Sequence, residues 1–457
     1  MPAPGADMSA FDEQALIDYV TEQRWYGAKS RPVAHSAVLE SVVIRTTEPQ
    51  LALALVEMRY ETGAHDIYQL LYSLRQGELG LDALAEDPGV ARELLSAMRA
   101  GLTLQGAEGI VEFQGIHGFA ALARELQRAR QIGSEQSNTS VVFDDALILK
   151  IFRRLEPGIN PELEVLRFLN DRGFANIPSL GGWYSYSGGP MSATLGLVQE
   201  CVADGLDGWE LALEEIGDAS ELFLGRLRRL GEVSGQMHTV LASDPNDPAF
   251  APEEPSVESL GLLTATVDEE ISRLFLSLPE DDERLAPILG RGEEVREQLR
   301  QLTTIGSVGR VIRTHGDYHL GQTLWSPSRR DWVIIDFEGE PARPLVERRR
   351  KRTPLRDVAG MLRSFAYAAT ASALERDVEP PDGWEEQARS QFLEGYLDTV
   401  DPSLLPSGQL AIERLLTVFE LEKAVYELRY ELDNRPDWVG IPVAGIQRLV
   451  EKAAQTA

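Results

Sequence analysis

The sequence predicts an α+β fold in three parts: an N-terminal α/β cap over 1–88, a strand-rich part over 89–202 and a mainly helical part over 203–457. Three observations predict it. Apolar residues follow strand-like patterns from Ser36 to Leu74 and again between Ile110 and Val202, and from Trp209 onward they follow helical spacing. That helical stretch is broken once, where two short apolar runs each lead into an acidic motif. Val311 and Ile312 precede His315-Gly316-Asp317, and Trp332 to Ile335 precede Asp336-Phe337-Glu338.

The elements follow in order. Phe11 to Gln23 form a helix with Leu16, Ile17 and Val20 on one face, and the cap strands come after Ser36. Gly27-Ala28-Lys29-Ser30 resembles the end of a phosphate loop, but no earlier glycine and no preceding strand support that reading. A helix over Val90 to Ala100 leads to a strand near Ile110 to Phe113. Next come a strand ending at Phe143, a tight turn at Asp144-Asp145, and a second strand, Ala146 to Phe152, that carries Lys150 within an apolar run. A helix over Leu163 to Leu169 has Pro161 in its first turn. Thr194 to Val202 form a strand that meets the linker Ala203 to Gly208. The long helix Phe223 to Val240 carries Leu227, Leu230, Val233 and Met237 on its core face. A proline-rich acidic stretch, Ser243 to Ser256, separates it from more helix. After the acidic motifs come the basic run Arg348 to Arg352, a helix over Val358 to Tyr367 and the helix Glu413 to Asp433.

Composition excludes several function classes. With 43% hydrophobic and 26% charged residues the chain is globular rather than disordered. Its formal net charge of −29 argues against nucleic acid and against an anionic membrane as partner. A single cysteine, Cys201, rules out an internal disulfide and a cysteine zinc site. The first residues lack a basic region followed by an apolar one, and no apolar run reaches the length of a membrane span, so a cytoplasmic protein is expected.

The acidic motifs point to chemistry through their order. A strand, a carboxylate, an amide five residues on, then a second strand and a second carboxylate is the arrangement that kinase-type phosphoryl transfer requires. In that reading Asp317 takes the proton of the acceptor hydroxyl, while Gln322 and Asp336 hold Mg2+ on hard oxygen ligands. His315 braces the loop; His319 is a further candidate for contact with substrate. Lysine is disfavoured in an apolar strand unless it meets an anion, so Lys150 is assigned to the phosphates of ATP. Glu164 is its expected ion-pair partner, with Glu162 the alternative. Ser137, Asn138, Thr139 and Ser140 lie where a loop would cover the phosphates, although only Gly133 is near. The backbone around Gln199, Glu200 and Val202 is the expected holder of the adenine. The basic run is read as a loop adding positive charge near the phosphates or as a solvated one, with Asp357 capping or bracing it.

The helix Glu413 to Asp433 gathers a second set of groups. Spacings of three and four place Lys423, Tyr426, Glu427, Tyr430 and Glu431 along adjoining stripes. Charged and aromatic side chains together suit a sugar, whose hydroxyls need donors and acceptors and whose C–H faces need a flat surface. A salt-bridged helix with tyrosines in the core would show the same pattern.

His315-Gly316-Asp317 resembles the corresponding motif of aminoglycoside and choline phosphotransferases, from which the chain departs at Gln322 and at Asp-Phe-Glu. Both departures resemble the actinobacterial maltokinases. So do Gln23-Arg24-Trp25-Tyr26, Gly158 to Glu164, Ile335 to Pro341, Pro344 to Phe365 and Glu422 through Trp438, and the similarity runs nearly end to end. The resemblance implies a bilobal protein-kinase-like fold with an extra cap, ATP and Mg2+ as co-substrates, and maltose phosphorylated at its anomeric hydroxyl for α-glucan synthesis. It also implies a sugar pocket lined by the last-named helix and an association with trehalose synthase. A related sugar kinase such as a glucosamine kinase, and an inactive kinase-like scaffold, are the alternatives.

Overall fold

The computed structural model describes residues 11–456 apart from 117, 118, 120–125, 133–137, 218, 219, 280, 303–307 and 342. It divides into two compact units. The first holds Met1–Asp171, Ile177–Ala203 and Pro341–Leu345; the second holds Arg172–Asn176, Asp204–Glu340 and Val346–Ala457.

The first unit is built on two antiparallel sheets. Helix α1 (Glu13–Glu22), N-capped by Asp12, packs against β1 (Val33–Arg45), β2 (Gln50–Tyr60) and β3 (His65–Arg75), with β4 (Glu78–Gly80) on the edge. Trp25 and Tyr26 of the Gln-Arg-Trp-Tyr motif are buried in this core against Tyr68. The short helix α2 (Ala83–Glu86) and helix α3 (Ala91–Ala100) lead into the second sheet. That sheet comprises β5 (Thr103–Gln105), β6 (Gly109–Gly115), β7 (Ala129–Ile132), β8 (Asn138–Phe143), β9 (Leu147–Phe152), β11 (Leu180–Gly188) and β12 (Ser192–Glu200). Its spatial order is β5-β6-β11-β12-β9-β8-β7, while β10 (Arg154–Leu155) crosses to pair with β3. Helix α4 (Pro161–Asp171) follows β10. The β8–β9 turn is left-handed at Asp144 and Asp145, with φ of 45° and 54°, a conformation that aspartate tolerates better than most side chains.

Buried polar groups join the two sheets. Gln69 of β3 donates to the carbonyls of Phe152 (2.9 Å) and Leu195 (2.8 Å) and accepts from the Tyr184 hydroxyl (2.9 Å). Glu40 of β1 accepts from the amides of Ala107 (2.9 Å) and Glu108 (2.8 Å) in the β5–β6 turn. Each is fully buried, and such a group is tolerated only when its hydrogen bonds are met.

The second unit is mainly helical. It contains α5 (Gly208–Glu215), α6 (Ser220–Leu241), α7 (Val257–Ser277), α8 (Gly292–Leu302), most of α9 (Leu345–Arg348), α10 (Leu355–Arg376), α11 (Trp384–Thr399), α12 (Gln409–Asn434) and α13 (Gly440–Thr456). One small sheet, β13 (Leu206–Asp207), β14 (Thr323–Ser326) and β15 (Asp331–Ile334), interrupts them. The expected strand at Val311 and Ile312 is reduced to isolated bridges with Glu253 and Arg352, so the acidic stretch forms a single hairpin, β14–β15. Among the described residues no helix is long and apolar enough to cross a membrane.

Candidate active site

The loop Arg313 to Tyr318 is held from beneath by helices. Asp357, in the first turn of α10, accepts from the amides of His315 (2.7 Å) and Gly316 (3.0 Å). It also meets His238 Nε2 of α6 at 3.1 Å, and His238 Nδ1 lies 3.0 Å from the Tyr396 hydroxyl of α11. Burial pushes the Asp357 carboxyl up, but His238, His315 and the Gly316 amide outweigh it and hold the group below the ordinary aspartate value. Asp357 therefore braces the His315-Gly316-Asp317 loop rather than the basic run. Sequence reading missed His238 and Tyr396; the available signal was a carboxylate on an apolar helix face, which demands a buried partner.

Two glycines make the geometry possible. Gly316 has φ +90°, and a Cβ there would sit 3.3 Å from the Gly339 Cα. Gly360 lets α10 approach so closely that a Cβ would stand 2.6 Å from the Tyr318 carbonyl. Tyr318 is buried with its hydroxyl 2.7 Å from Ser234 Oγ, and the Leu320 amide donates to Ser364 Oγ at 3.3 Å.

The two candidate metal ligands flank the hairpin. Gln322 immediately precedes β14, Asp336 follows β15 by two residues, and the Ile335 amide donates to the Gln322 carbonyl at 3.0 Å. His315 Nε2 lies 2.9 Å from the Ile335 carbonyl, which ties the loop to the second motif. Asp336 itself is left-handed, with φ +65°, a conformation costing an aspartate about 1 kcal/mol.

Asp317 faces α12. Its Oδ1 lies 3.3 Å from Lys423 Nζ, and its Oδ2 lies 4.0 Å from His319 Nε2. Burial alone would lower the Lys423 ammonium, but the charges of Asp317, Glu340 and Glu427 hold it above its usual value, so it stays protonated. Burial lowers His319, and Lys423 adds to that against the opposing charge of Asp317. The His319 Nδ1 accepts from the Gly321 amide at 3.2 Å, which leaves Nε2 as the protonated nitrogen of the neutral ring.

The other α12 residues divide into two groups. Tyr426 and Tyr430 are exposed, Tyr426 beneath the Lys423 ammonium and Tyr430 beside the Arg435 guanidinium. Glu427 and Glu431 are buried and committed to ion pairs, Glu427 with Arg363 (2.7 Å) and Glu431 with Arg435 (2.7 Å). The first pair ties α12 to α10, and the second lies between α12 and its own C-cap. The basic run is anchored as well: Lys351 donates to the Pro248 carbonyl at 2.8 Å, and Arg352 pairs through its backbone with Ile312.

In the first unit Lys150 projects from the middle of β9, opposite Ser140 and Leu197 in the ladder. Its ammonium lies 2.7 Å from Glu162 Oε1, and both side chains are almost wholly buried. Glu162, not Glu164, is thus the partner of Lys150. The reason is helical geometry: two residues along α4 turn a side chain through about 200°, so only one of the two glutamates faces β9. Asn138, Thr139 and Ser140 belong to β8, and the Thr139 hydroxyl accepts from Arg153 Nε at 2.7 Å. Ser137 lies outside the described residues. Gln199 and Glu200 end β12, paired with Ile148 and Leu147, and the next amide, that of Cys201, donates to Ala146 at 2.8 Å. Val202 follows, half-buried.

Residues 19–87 match the maltokinase N-terminal cap domain. The chain is 28% identical over 387 residues to a glucosamine kinase of Streptacidiphilus jiangxiensis, covering 81% of this chain and 83% of that protein. A glucosamine kinase of Mycolicibacterium smegmatis (strain ATCC 700084 / mc(2)155) is 26% identical over 357 residues, covering 74% and 85%. A solved glucosamine kinase (crystal form B) superposes with a TM-score of 0.76 at 20% identity, covering 98% of this chain and all of that one. Another, in complex with glucosamine, ADP and inorganic phosphate, gives 0.72 at 20% identity, covering 94% and 98%. The fold is that of these kinases, an α+β fold with an N-terminal sheet cap and a helical C-terminal region. Residues 128–386, more than half of the chain, match the phosphotransferase enzyme family, and the chain belongs to that family.

Proposed function

We propose that this chain is an ATP- and magnesium-dependent sugar kinase, and that its acceptor is maltose, phosphorylated at the anomeric hydroxyl to give maltose 1-phosphate and ADP. Asp317 accepts the proton of the attacking hydroxyl, and Lys150, oriented by Glu162, meets the nucleotide phosphates. Gln322 and Asp336 suit magnesium: an amide oxygen and a carboxylate are hard donors, and the backbones of Gln322 and Ile335, the residue before Asp336, are hydrogen-bonded. When bound, that ion supplies positive charge against the transferring phosphoryl group.

The observation that favours maltose is the charge around Asp317. Lys423 brings a fixed positive charge to 3.3 Å from the base, while Glu427 and Glu431 pair with Arg363 and Arg435. A neutral sugar needs no counter-charge there, whereas a protonated amino sugar would have to share Asp317, Glu340 and Glu427 with the Lys423 ammonium. The cap match and the motif resemblance support the same acceptor, and association with trehalose synthase in the cytoplasm follows from the resemblance.

The second reading is glucosamine, favoured by the names of the two relatives aligned over most of the chain. Coupled ADP release with maltose, glucose and glucosamine decides between them. Turnover confined to maltose supports the proposal; turnover confined to glucosamine replaces the acceptor, and no turnover with any sugar points to a scaffold.

A further inference from the structure

Lys423 sits on a helix that has little freedom to move. Glu420 of α12 pairs with Arg389 (2.8 Å), Glu427 with Arg363 (2.7 Å) and Glu431 with Arg435 (2.7 Å), and Arg363 and Arg389 come from two different helices, α10 and α11. The two cross-helix pairs, Glu420 with Arg389 and Glu427 with Arg363, are largely buried and fix the register of α12 against both. Lys423 is the α12 side chain that carries this rigidity to the catalytic loop, which Asp357 and Ser364 hold in turn from α10.

The contact is directional. Lys423 engages Oδ1 of Asp317, whereas Oδ2 has His319 Nε2 at 4.0 Å, beyond hydrogen-bond distance. A carboxylate used as a base must present one lone pair to one hydroxyl, and a carboxylate free to turn about its last bond does so only part of the time.

We propose that Lys423 is a positioning residue: it occupies Oδ1 and so makes Oδ2 the atom that receives the acceptor proton. In the transfer, the acceptor O–H bond breaks and its proton goes to Oδ2. The acceptor oxygen bonds the γ-phosphorus, and the bond to the bridging oxygen breaks with its electron pair leaving on ADP. This role rests on the sugar-kinase reading above. It differs from contact between Lys423 and a sugar hydroxyl, which would hold substrate in the ground state as well.

Steady-state kinetics of K423M and K423R on the sugar that the wild-type protein phosphorylates separate the two. K423M is expected to lower kcat by about 10- to 100-fold, the scale of a misplaced catalytic group, with the KM for sugar and for ATP changed less than about twofold. K423R, which keeps the charge, is expected to recover part of the loss. Should K423M not fold, K423Q gives the same comparison with a donor and no charge. An unchanged kcat, or a raised sugar KM with kcat intact, overturns the proposal while leaving the sugar-kinase reading standing. A wild-type protein that phosphorylates no sugar overturns that reading instead.

Discussion

Replacing Asp357 with alanine tests whether the catalytic loop is held from below. The carboxylate accepts two loop amides at 2.7 and 3.0 Å and meets His238 at 3.1 Å, and it is almost fully buried. Alanine leaves three buried polar groups without their partner, each costing about 1–3 kcal/mol before relaxation. With partial relaxation the expected loss is about 3–5 kcal/mol, the range seen when a buried charged network is broken. Because the loop carries Asp317, kcat should fall by about 100-fold as well. Urea unfolding followed through Trp325 and Trp332 of the β14–β15 hairpin reads the first quantity, and coupled ADP release reads the second. A D357A protein within about 0.5 kcal/mol of wild type, the range of an ordinary surface change, would refute the bracing role.

The depressed carboxyl of Asp357 also sets a pH dependence. A group whose folded value lies below its unfolded value, about 3.9, stabilises above that pH and loses the contribution as pH falls through the folded value. The urea midpoint of D357N should therefore fall less steeply than that of wild type below about pH 4, and parallel curves would contradict this. K150M should cost about 3–5 kcal/mol by removing the ammonium that faces the buried Glu162, and K150M/E162Q should restore most of it, as judged by urea unfolding; a double variant no better than K150M would argue against the pair. E427Q should destabilise by a similar amount, whereas R363M/E427L should be nearly neutral, because both charges leave the interior together. D336N should lower ADP release by at least about 100-fold and raise the magnesium concentration needed for half-maximal rate; an unchanged magnesium titration would remove Asp336 from the metal site.

The stretch proposed to carry the chemistry stands out because its information is local. Asp317, Gln322 and Asp336 fall within twenty residues, and the β14–β15 hairpin lies between Gln322 and Asp336 in the same segment. Lys150 stood out for a related reason, a charge inside an apolar strand. What the sequence could not convey was which distant side chain answers each buried charge. Glu427 and Glu431 look like sugar ligands on a helical stripe, yet Arg363 meets the first from 64 positions away. Asp357 reads as a cap for the nearby basic run, and its true contacts lie 41 and 42 positions earlier. Glu162 and Glu164 differ only in facing, a matter that depends on how α4 is rotated against β9. Val311 and Ile312 have strand composition, but the described bridges at these two residues are single ones to Glu253 and Arg352 rather than a continuous ladder.

The most direct test of Asp317 as the base in phosphoryl transfer follows the γ-phosphate of ATP itself. Wild-type protein and D317N are incubated with γ-labelled ATP, magnesium and maltose, and the label is traced. Label is expected on the anomeric oxygen of maltose with wild-type protein, at a rate about 10²- to 10⁴-fold lower with D317N. Label appearing only in inorganic phosphate, or transferred to maltose equally well by D317N, would contradict it.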